Sequence, residues 1–339
     1  MTSELILILS DFFPRTEATD REGAPPRLRA LETLLAGAHP RALPYGWRAS
    51  FAARFATPEV ADMSPAAVAA LAWLDSPAQP GRQYWFATPV HFFAGLDSVH
   101  LHPAGLLRLS NSAQAALVAE FKTVFGDAPW ALHTIGRREL LLSGAPLAAS
   151  AQDPAQFAGG DPAGGLPRGA AAATLRRLGV EIEMWLHEHR INQERERNGE
   201  LPVSALWLWG ALPSRARTDA VAAAPATITH GRLYGEDAYA EALWRLRSGR
   251  TEPLPEHFQA IERCVGGTHV VLYPTLGDAG RSGSLQRLEQ CWLAPALAAL
   301  RARQLSAIEL LAGARSHRLR WWYRARFWRA RSAWWEQLA

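Results

Sequence analysis

The residues best suited to chemistry lie in the stretch INQERERNGELPVSALWLWG, residues 191–210. Asn192 and Arg195 are three positions apart, so on a helix they share one face and can contact one ligand. The planar guanidinium of an arginine donates two parallel hydrogen bonds to a carboxylate or a phosphate. The stretch therefore predicts a site for a small phosphorylated or carboxylated ligand. The alternative is a solvated helix end that leads into a core strand carrying Trp207 and Trp209.

A second candidate, Asp11, ends the apolar run ELILILSD, residues 4–11. A continuous apolar run of this length is typical of a parallel strand that is buried on both faces. In open α/β sheets, ligands bind beyond the carboxyl ends of the strands. Asp11 is therefore a ligand-binding candidate because of its position alone.

The elements that must position these residues follow an α/β pattern. Strand and helix signals alternate, which favours a doubly wound parallel sheet. Short strands and a helix, typical of a smaller α+β domain, interrupt that pattern from residue 81. We expect four segments along the chain, namely a first core part (1–80), an inserted α+β domain (81–203), a second core part (204–314) and a C-terminal helix (315–339).

The motif N-x-x-R-x-x-x-G-x-x-P-x-S-x-x-W-x-W-G, from Asn192 to Gly210, resembles the signature of archaeal-type cofactor-independent phosphoglycerate mutases. Its neighbourhood resembles the bacterial regulatory proteins of the RpfE type, which are distant relatives of those mutases. The segments that carry this second resemblance are ATPVHF (87–92), GLLRLS (105–110), a Leu-Pro-x-Gly turn (166–169) and E-x-E-M-W-L-H (181–187). The resemblance implies an alkaline-phosphatase-like core with an inserted domain.

The same resemblance implies a mechanism in which two divalent metals, held by Asp and His, activate a serine nucleophile. Asp11 stands where the family has its first metal-binding Asp. In THVVLYPTLGDAGRSG (268–283), however, Gly277 stands where the family has an Asp and Arg281 where it has a His. The nearest match to the family's closing Asp-His pair is Ser316-His317.

The nucleophile is missing as well. Between residues 37 and 60 there is no Gly-Asn-Ser-like loop, and Ser50 and Thr57 are the only serine or threonine there. Since an arginine repels a cation, we expect no catalytic residue, no bound metal and no cofactor. Asp11, Asp278 and His317 remain weak metal candidates.

The ligand-binding set that follows is Asp11, Asn192, Arg195 and Arg281, lining a remnant cleft between the core and the inserted domain. In this set Arg281 occupies the space of a metal and binds a phosphate or carboxylate directly. The function that we expect is regulation or ligand sensing without turnover. The alternatives are a mutase or phosphatase with a rearranged site, and an interaction module that acts through the C-terminal segment.

That C-terminal segment holds seven arginines and five of the 14 tryptophans. On a helix, Trp321, Trp328 and Trp335 form one stripe with Arg324 beside it, and Leu319 and Trp334 belong to an opposed stripe. If one stripe packs on the body, the other faces outward and suits a protein or an anionic membrane. Nucleic acid is not expected as a partner. The alternative is a terminal helix with both stripes packed.

Composition limits the remaining choices. The chain has 339 residues with 48% hydrophobic and 20% charged side chains, values typical of a globular protein. The net charge of the chain is only +4. Residues 315–339 contain seven arginines and one acid, Glu336, so the basic character lies mainly in this C-terminal segment. Two cysteines, Cys264 and Cys291, match neither a disulfide framework nor a metal motif. With no targeting segment and no apolar run of membrane-spanning length visible, the sequence favours a cytoplasmic location.

Overall fold

The computed structural model folds into two compact units, residues 1–57 with 215–339 and residues 58–214. The first unit is discontinuous in sequence, whereas the second is one continuous stretch. The structure describes residues 3–12, 26–43, 46–75, 81–95, 98–126, 129–136, 139–212, 231–247, 249–262, 266–275, 280–322 and 332–338.

Seven strands and seven helices make up the described part of the first unit, besides one π-helical segment. The strands are β1 (Ser3–Leu9), β2 (His39–Ala42), β8 (Arg232–Tyr234), β9 (Arg250–Glu252), β10 (Thr268–Tyr273), β11 (Leu305–Ala312) and β12 (Arg315–Arg320). The helices are α1 (Arg29–Gly37), α2 (Gly46–Phe55), α7 (Ala238–Leu246), α8 (Gln259–Glu262), α9 (Gly280–Leu288) and α10 (Ala294–Arg301), with a π-helical segment (Glu289–Leu293) between the last two. A short helix, α11 (Trp334–Leu338), follows β12.

The strands form one sheet in the order β2-β12-β11-β1-β10-β8-β9. The strands from β11 to β9 run parallel to one another, whereas β12 and β2 are added antiparallel at one side. On one face, alternate residues of β1, including Leu5 and Leu7, join a core cluster with α1 and the π-helical segment. Because Ile6 and Ile8 are equally buried on the other face, the strand is apolar throughout, as the sequence predicts.

The second unit is built on a five-stranded antiparallel sheet. Its strands are β3 (Gln83–Ala94), β4 (Val99–Leu106), β5 (Ala131–Ile135), β6 (Glu139–Gly144) and β7 (Ala205–Trp209), in the order β4-β3-β6-β5 with β7 also paired to β3. Its helices are α3 (Pro65–Trp73), α4 (Asn111–Val124), α5 (Ala172–His187) and α6 (Arg190–Arg197). A separate core cluster, which includes Trp85, Leu117 and Ile182, fills the space between sheet and helices.

The junctions between the units differ from the predicted ones at 80/81 and 203/204. The sequence assigns Ala205–Trp209 to the returning core, but this strand pairs with Phe86–Val90 of β3. The helix α3, expected in the first core part, also lies within the second unit. A short apolar strand carries no local signal of its partner, because pairing is decided by distant residues.

The predicted helix over residues 315–339 is wrong at its start. Arg315–Arg320 is the strand β12, whose Leu319 is buried opposite Ile308. Backbone hydrogen bonding along β11 outweighs the helical spacing of the side chains, since tertiary pairing overrides local pattern. Residues 323–331 lie outside the described part, and the α-helix α11 follows at Trp334–Leu338. No helix within the described ranges is long and apolar enough to cross a membrane.

Candidate functional site

Asp11 lies just beyond β1, at the carboxyl edge of the parallel sheet. Its Oδ1 atom accepts hydrogen bonds from the backbone N–H of Thr275 at 2.6 Å and from the Thr275 hydroxyl at 2.7 Å. Thr275 follows β10, the neighbour of β1, and is completely buried. The carboxylate of Asp11 thus ties together the ends of two adjacent strands. The sequence predicted the position of Asp11 but not its partner.

The first turn of α2 reaches the same edge. The indole N–H of Trp47 donates to the backbone carbonyl of Ser10 at 3.0 Å. The next residue, Arg48, stacks on the Trp47 ring at 4.4 Å and forms a 2.6 Å ion pair with Asp237. Asp237 also caps α7 by accepting from the N–H of Ala240. The sequence does not reveal this pair, although Asp237 directly before a helix is a typical N-cap.

Helix α9 follows β10 in the sequence and includes Arg281. The helix begins at Gly280, after β10 and its connection, and Arg281 lies in its first turn. Tyr273, at the end of β10, donates its hydroxyl to the carbonyl of Ser284 at 3.2 Å and so anchors α9 to the strand. Burial raises the pKa of Tyr273, which keeps that donor protonated. Gly277 and Asp278 lie outside the described residues.

His317 lies away from this edge. It is buried in β12 opposite Leu310, which in turn pairs with Leu7 of β1. The register therefore puts His317 level with Leu7 and two strands away from β1, a separation of about 10 Å across the sheet. Asp11 lies four residues beyond Leu7, which adds about 13 Å along the strand direction. Side chains that share a metal ion lie within a few ångströms of each other. Asp11 and His317 therefore cannot hold one metal together.

The imidazole of His317 is buried. Neither ring nitrogen of this histidine has a hydrogen-bond partner. Burial, and to a smaller extent the charge of Arg315, lower its pKa to about 4. Among the residues that the structure describes, no group of three or more His, Cys, Asp or Glu side chains is placed to hold a metal ion.

Asn192 and Arg195 lie on one face of α6 in the second unit, and both contact the chain that follows the helix. The Asn192 amide donates to the carbonyls of Leu186 at 2.8 Å and Val203 at 2.9 Å, and accepts from the N–H of Val203 at 2.7 Å. The guanidinium of Arg195 donates to the carbonyl of Leu201 at 2.7 Å and pairs with Glu200 at 2.9 Å. These contacts fix the turn that leads from α6 into β7.

Two histidines, His91 and His102, lie near this turn. His91 has its Nδ1 atom 2.9 Å from the carbonyl of Pro202, and His102 of the neighbouring strand packs against its ring at 5.8 Å. Burial is the main cause that lowers the pKa of His91, and the charge of Arg195 adds to it. His91 belongs to the ATPVHF segment, so the resemblance carried by that segment could have pointed to this histidine.

The four predicted ligand-binding residues thus fall into two groups. Asp11 and Arg281 belong to the first unit, where Asp11 directly follows β1 and Arg281 lies in the helix that comes after the adjacent strand β10. Asn192 and Arg195 share a helix of the second unit. The first group defines the candidate site, with Thr275, Arg48 and Asp237 as members that the sequence did not reveal.

The tryptophans predicted to form an interaction surface near the C-terminus differ in exposure. Trp321 is 46% exposed. Trp335 is partly buried against the core cluster, with the Arg27 guanidinium 6.0 Å from its ring centre. Trp334, on the opposed stripe, is buried and donates its indole N–H to the carbonyl of Pro26 at 3.0 Å. Arg324 and Trp328 lie outside the described residues.

Fold and site define a mixed α/β protein with a parallel-strand sheet whose carboxyl edge carries Asp11, and this class is the one that the sequence predicts. No protein-family model matches the chain, and no curated protein matches it. A cofactor-independent phosphoglycerate mutase from Thermoplasma acidophilum DSM 1728 is structurally similar, with 15% identity and a TM-score of 0.40 over 94% of this chain and 89% of that one. The PH0037 protein from Pyrococcus horikoshii has 12% identity and a TM-score of 0.46 over 94% and 86%.

Proposed function

We propose that this chain is a regulatory or ligand-sensing protein of the RpfE type, built on a phosphoglycerate-mutase-like scaffold, that binds a small phosphorylated or carboxylated ligand without turnover. The ligand site is the carboxyl edge of the first unit's sheet, and Arg281 is the residue that binds the anionic group. A guanidinium in the first turn of a helix combines a charged fork with the free backbone N–H groups of that turn.

The observation that carries the proposal is the pair of hydrogen bonds that Asp11 accepts from Thr275. A catalytic carboxylate of a metal-dependent mutase must present its oxygens to a cation. Here Oδ1 of Asp11 already accepts two short hydrogen bonds from Thr275. His317 is too far along the sheet to be a second ligand. These two hydrogen bonds support a positioning role for Asp11, in which it holds the start of the connection from β10 to α9.

The test uses the full chain in two assays. Calorimetry with inorganic phosphate and with 3-phosphoglycerate measures binding, and a coupled assay with added Mn²⁺ measures interconversion of 2- and 3-phosphoglycerate. We expect binding without interconversion. Stoichiometric manganese or zinc together with turnover would instead support a mutase with a rearranged site.

A matched pair of variants assigns the binding residue. Arg281→Gln removes the proposed anion fork, and Arg287→Gln removes an exposed arginine of the same helix, α9. We expect at least about a tenfold loss of phosphate affinity in R281Q, since a charged hydrogen bond contributes roughly 1.5–3 kcal/mol. R287Q should keep the wild-type affinity. Equal affinities in the two variants would contradict the assignment.

A further inference from the structure

Two neighbouring tryptophans are exposed where β12 ends. Trp321 is 46% and Trp322 40% exposed, and they are among the few large apolar side chains exposed in the described part of the chain. Arg320, directly before them, is also exposed. Arg303, from the turn between α10 and β11, lies over the Trp321 ring with its guanidinium 4.6 Å from the ring centre. We call Arg303, Arg320, Trp321 and Trp322 the Trp–Arg surface.

The backbone at Arg303 has an unusual conformation. Its φ is +61°, and it is the one described non-glycine residue with a positive φ. A side chain with a Cβ pays a strain energy in this region, which most proteins avoid by using glycine. The N–H of Arg303 donates to the carbonyl of Leu300, and that of Gln304 to the carbonyl of Ala299, so the strained turn is fixed by the end of α10. The turn therefore holds the guanidinium of Arg303 beside the exposed indole.

We propose that the Trp–Arg surface binds the anionic surface of a lipid bilayer. Indole rings favour the boundary between headgroups and acyl chains, because they combine a large apolar ring with one N–H donor. Arginines next to them are attracted to anionic headgroups. This site is separate from the proposed ligand site, so either proposal can fail alone.

The charge around the surface favours an anionic partner. The segments that form it, residues 301–304 and 315–322, contain arginines but no Asp or Glu. Of these arginines, Arg318 is paired with Glu4 of β1 and Glu309 of β11, whereas Arg303 and Arg320 are exposed.

A bilayer suits this arrangement better than a nucleic acid does. Single-stranded nucleic acids bind by stacking bases on open aromatic faces. Arg303 already covers one face of Trp321, so a base could stack there only by displacing it. A bilayer interface needs no open ring face, since an indole enters it together with a neighbouring cation.

Vesicle co-sedimentation of the full chain tests the proposal. We expect the protein to sediment with phosphatidylcholine vesicles that contain phosphatidylglycerol and to remain in solution with phosphatidylcholine alone. Raising the salt from about 0.1 M to about 1 M should weaken binding, because the screening length falls to about 3 Å. Absence of sedimentation with the anionic vesicles at low salt would overturn the proposal.

Variants then locate the contact. Arg303→Gln should weaken vesicle binding about fivefold, the effect expected for one arginine near an anionic surface. The double variant Trp321→Ser/Trp322→Ser should lose more than that. The controls are Met184→Ser, which changes a 71% exposed apolar side chain of the second unit, and Arg177→Gln, which removes an exposed arginine there.

Both controls should bind vesicles like the wild type, and circular dichroism should show that all variants are folded. Undiminished binding of folded R303Q and of the double variant would overturn the proposal. So would binding of a single-stranded oligonucleotide or an acidic peptide by a chain that ignores anionic vesicles.

Discussion

Asp11 and Thr275 are joined by two hydrogen bonds although 264 positions separate them in sequence. One carboxylate oxygen accepts both, from a backbone N–H and from a hydroxyl. The pair fixes the end of β1 against the end of β10. The candidate site at this edge therefore depends on a contact between two distant parts of the chain.

Replacing Thr275 by Val removes the hydroxyl and keeps the shape of the buried side chain. We expect the free energy of unfolding to fall by about 2 kcal/mol, because a hydrogen bond to a charged group is lost. Thr275→Ser should keep that bond. Thr33→Val is the control, since the Thr33 hydroxyl is exposed and bonds only within α1, and it should change stability by less than about 0.5 kcal/mol. Denaturant titration measures all three.

Asn192 is expected to stabilise the turn between α6 and β7. Asn192→Ala removes the hydrogen bonds to the N–H and the carbonyl of Val203 and should cost about 3 kcal/mol. The exposed Asn198, at the end of the same helix, provides the control Asn198→Ala, which should cost less than about 0.5 kcal/mol. An N192A variant with unchanged stability but lost ligand affinity would contradict the structural role.

His317 should make stability depend on pH. Its pKa is about 4 in the folded chain and about 6.5 in an unfolded one. Between these values the unfolded chain takes up a proton that the folded chain does not. The free energy of unfolding should therefore fall by about 3 kcal/mol as the pH drops from 6.5 to 4, and be fully restored above 6.5.

The contribution of His317 is the difference between the wild type and His317→Leu, because burial also lowers the pKa of His133 and His189. H317L should have a flatter stability curve across this pH range. His39→Leu, at an exposed position of the adjacent strand β2, should keep the wild-type slope. Parallel curves for the wild type and H317L would show that the histidine does not titrate in this way.

Trp334 ties the C-terminal residues to the first unit. Its ring contacts that of Phe12 at 6.1 Å and belongs to the core cluster. Trp334→Ala should cost about 4 kcal/mol, the usual effect of removing a buried aromatic side chain. Trp322→Ala, at an exposed tryptophan, should cost less than about 1 kcal/mol. Thermal melting of both variants tests this, and similar losses would contradict the packing.

Local patterns in the sequence were sufficient to predict part of this structure. The apolar run before Asp11 predicts β1 and its position at the sheet edge, because a strand buried on both faces needs no polar alternation. A serine followed by a proline, as at Ser64 and Pro65, is typical of a helix start, and Ser64 accepts from the N–H of Ala67 at the start of α3. Both features depend on a few adjacent residues.

The remaining features depend on pairing that a single sequence does not reveal. Whether β7 joins β3 or the first unit's sheet is decided by hydrogen bonds to residues about 120 positions earlier. Likewise, the spacing of the arginines in residues 315–320 is compatible with a helix, and the segment is a strand because it pairs with β11. Thr275 has no local signal at all, since its role appears only when β10 lies beside β1.

The register of β1 has a consequence for synthesis on the ribosome. Leu7 is paired with Val271 on one side and Leu310 on the other, so β1 leaves the exit tunnel long before either partner exists. The second unit, residues 58–214, is continuous in sequence. It can therefore fold before β10 and β11, the partners of β1, are synthesised. For most of translation this buried, largely apolar strand is thus an unpaired nascent segment, and during that period it is most open to chaperones or to aggregation.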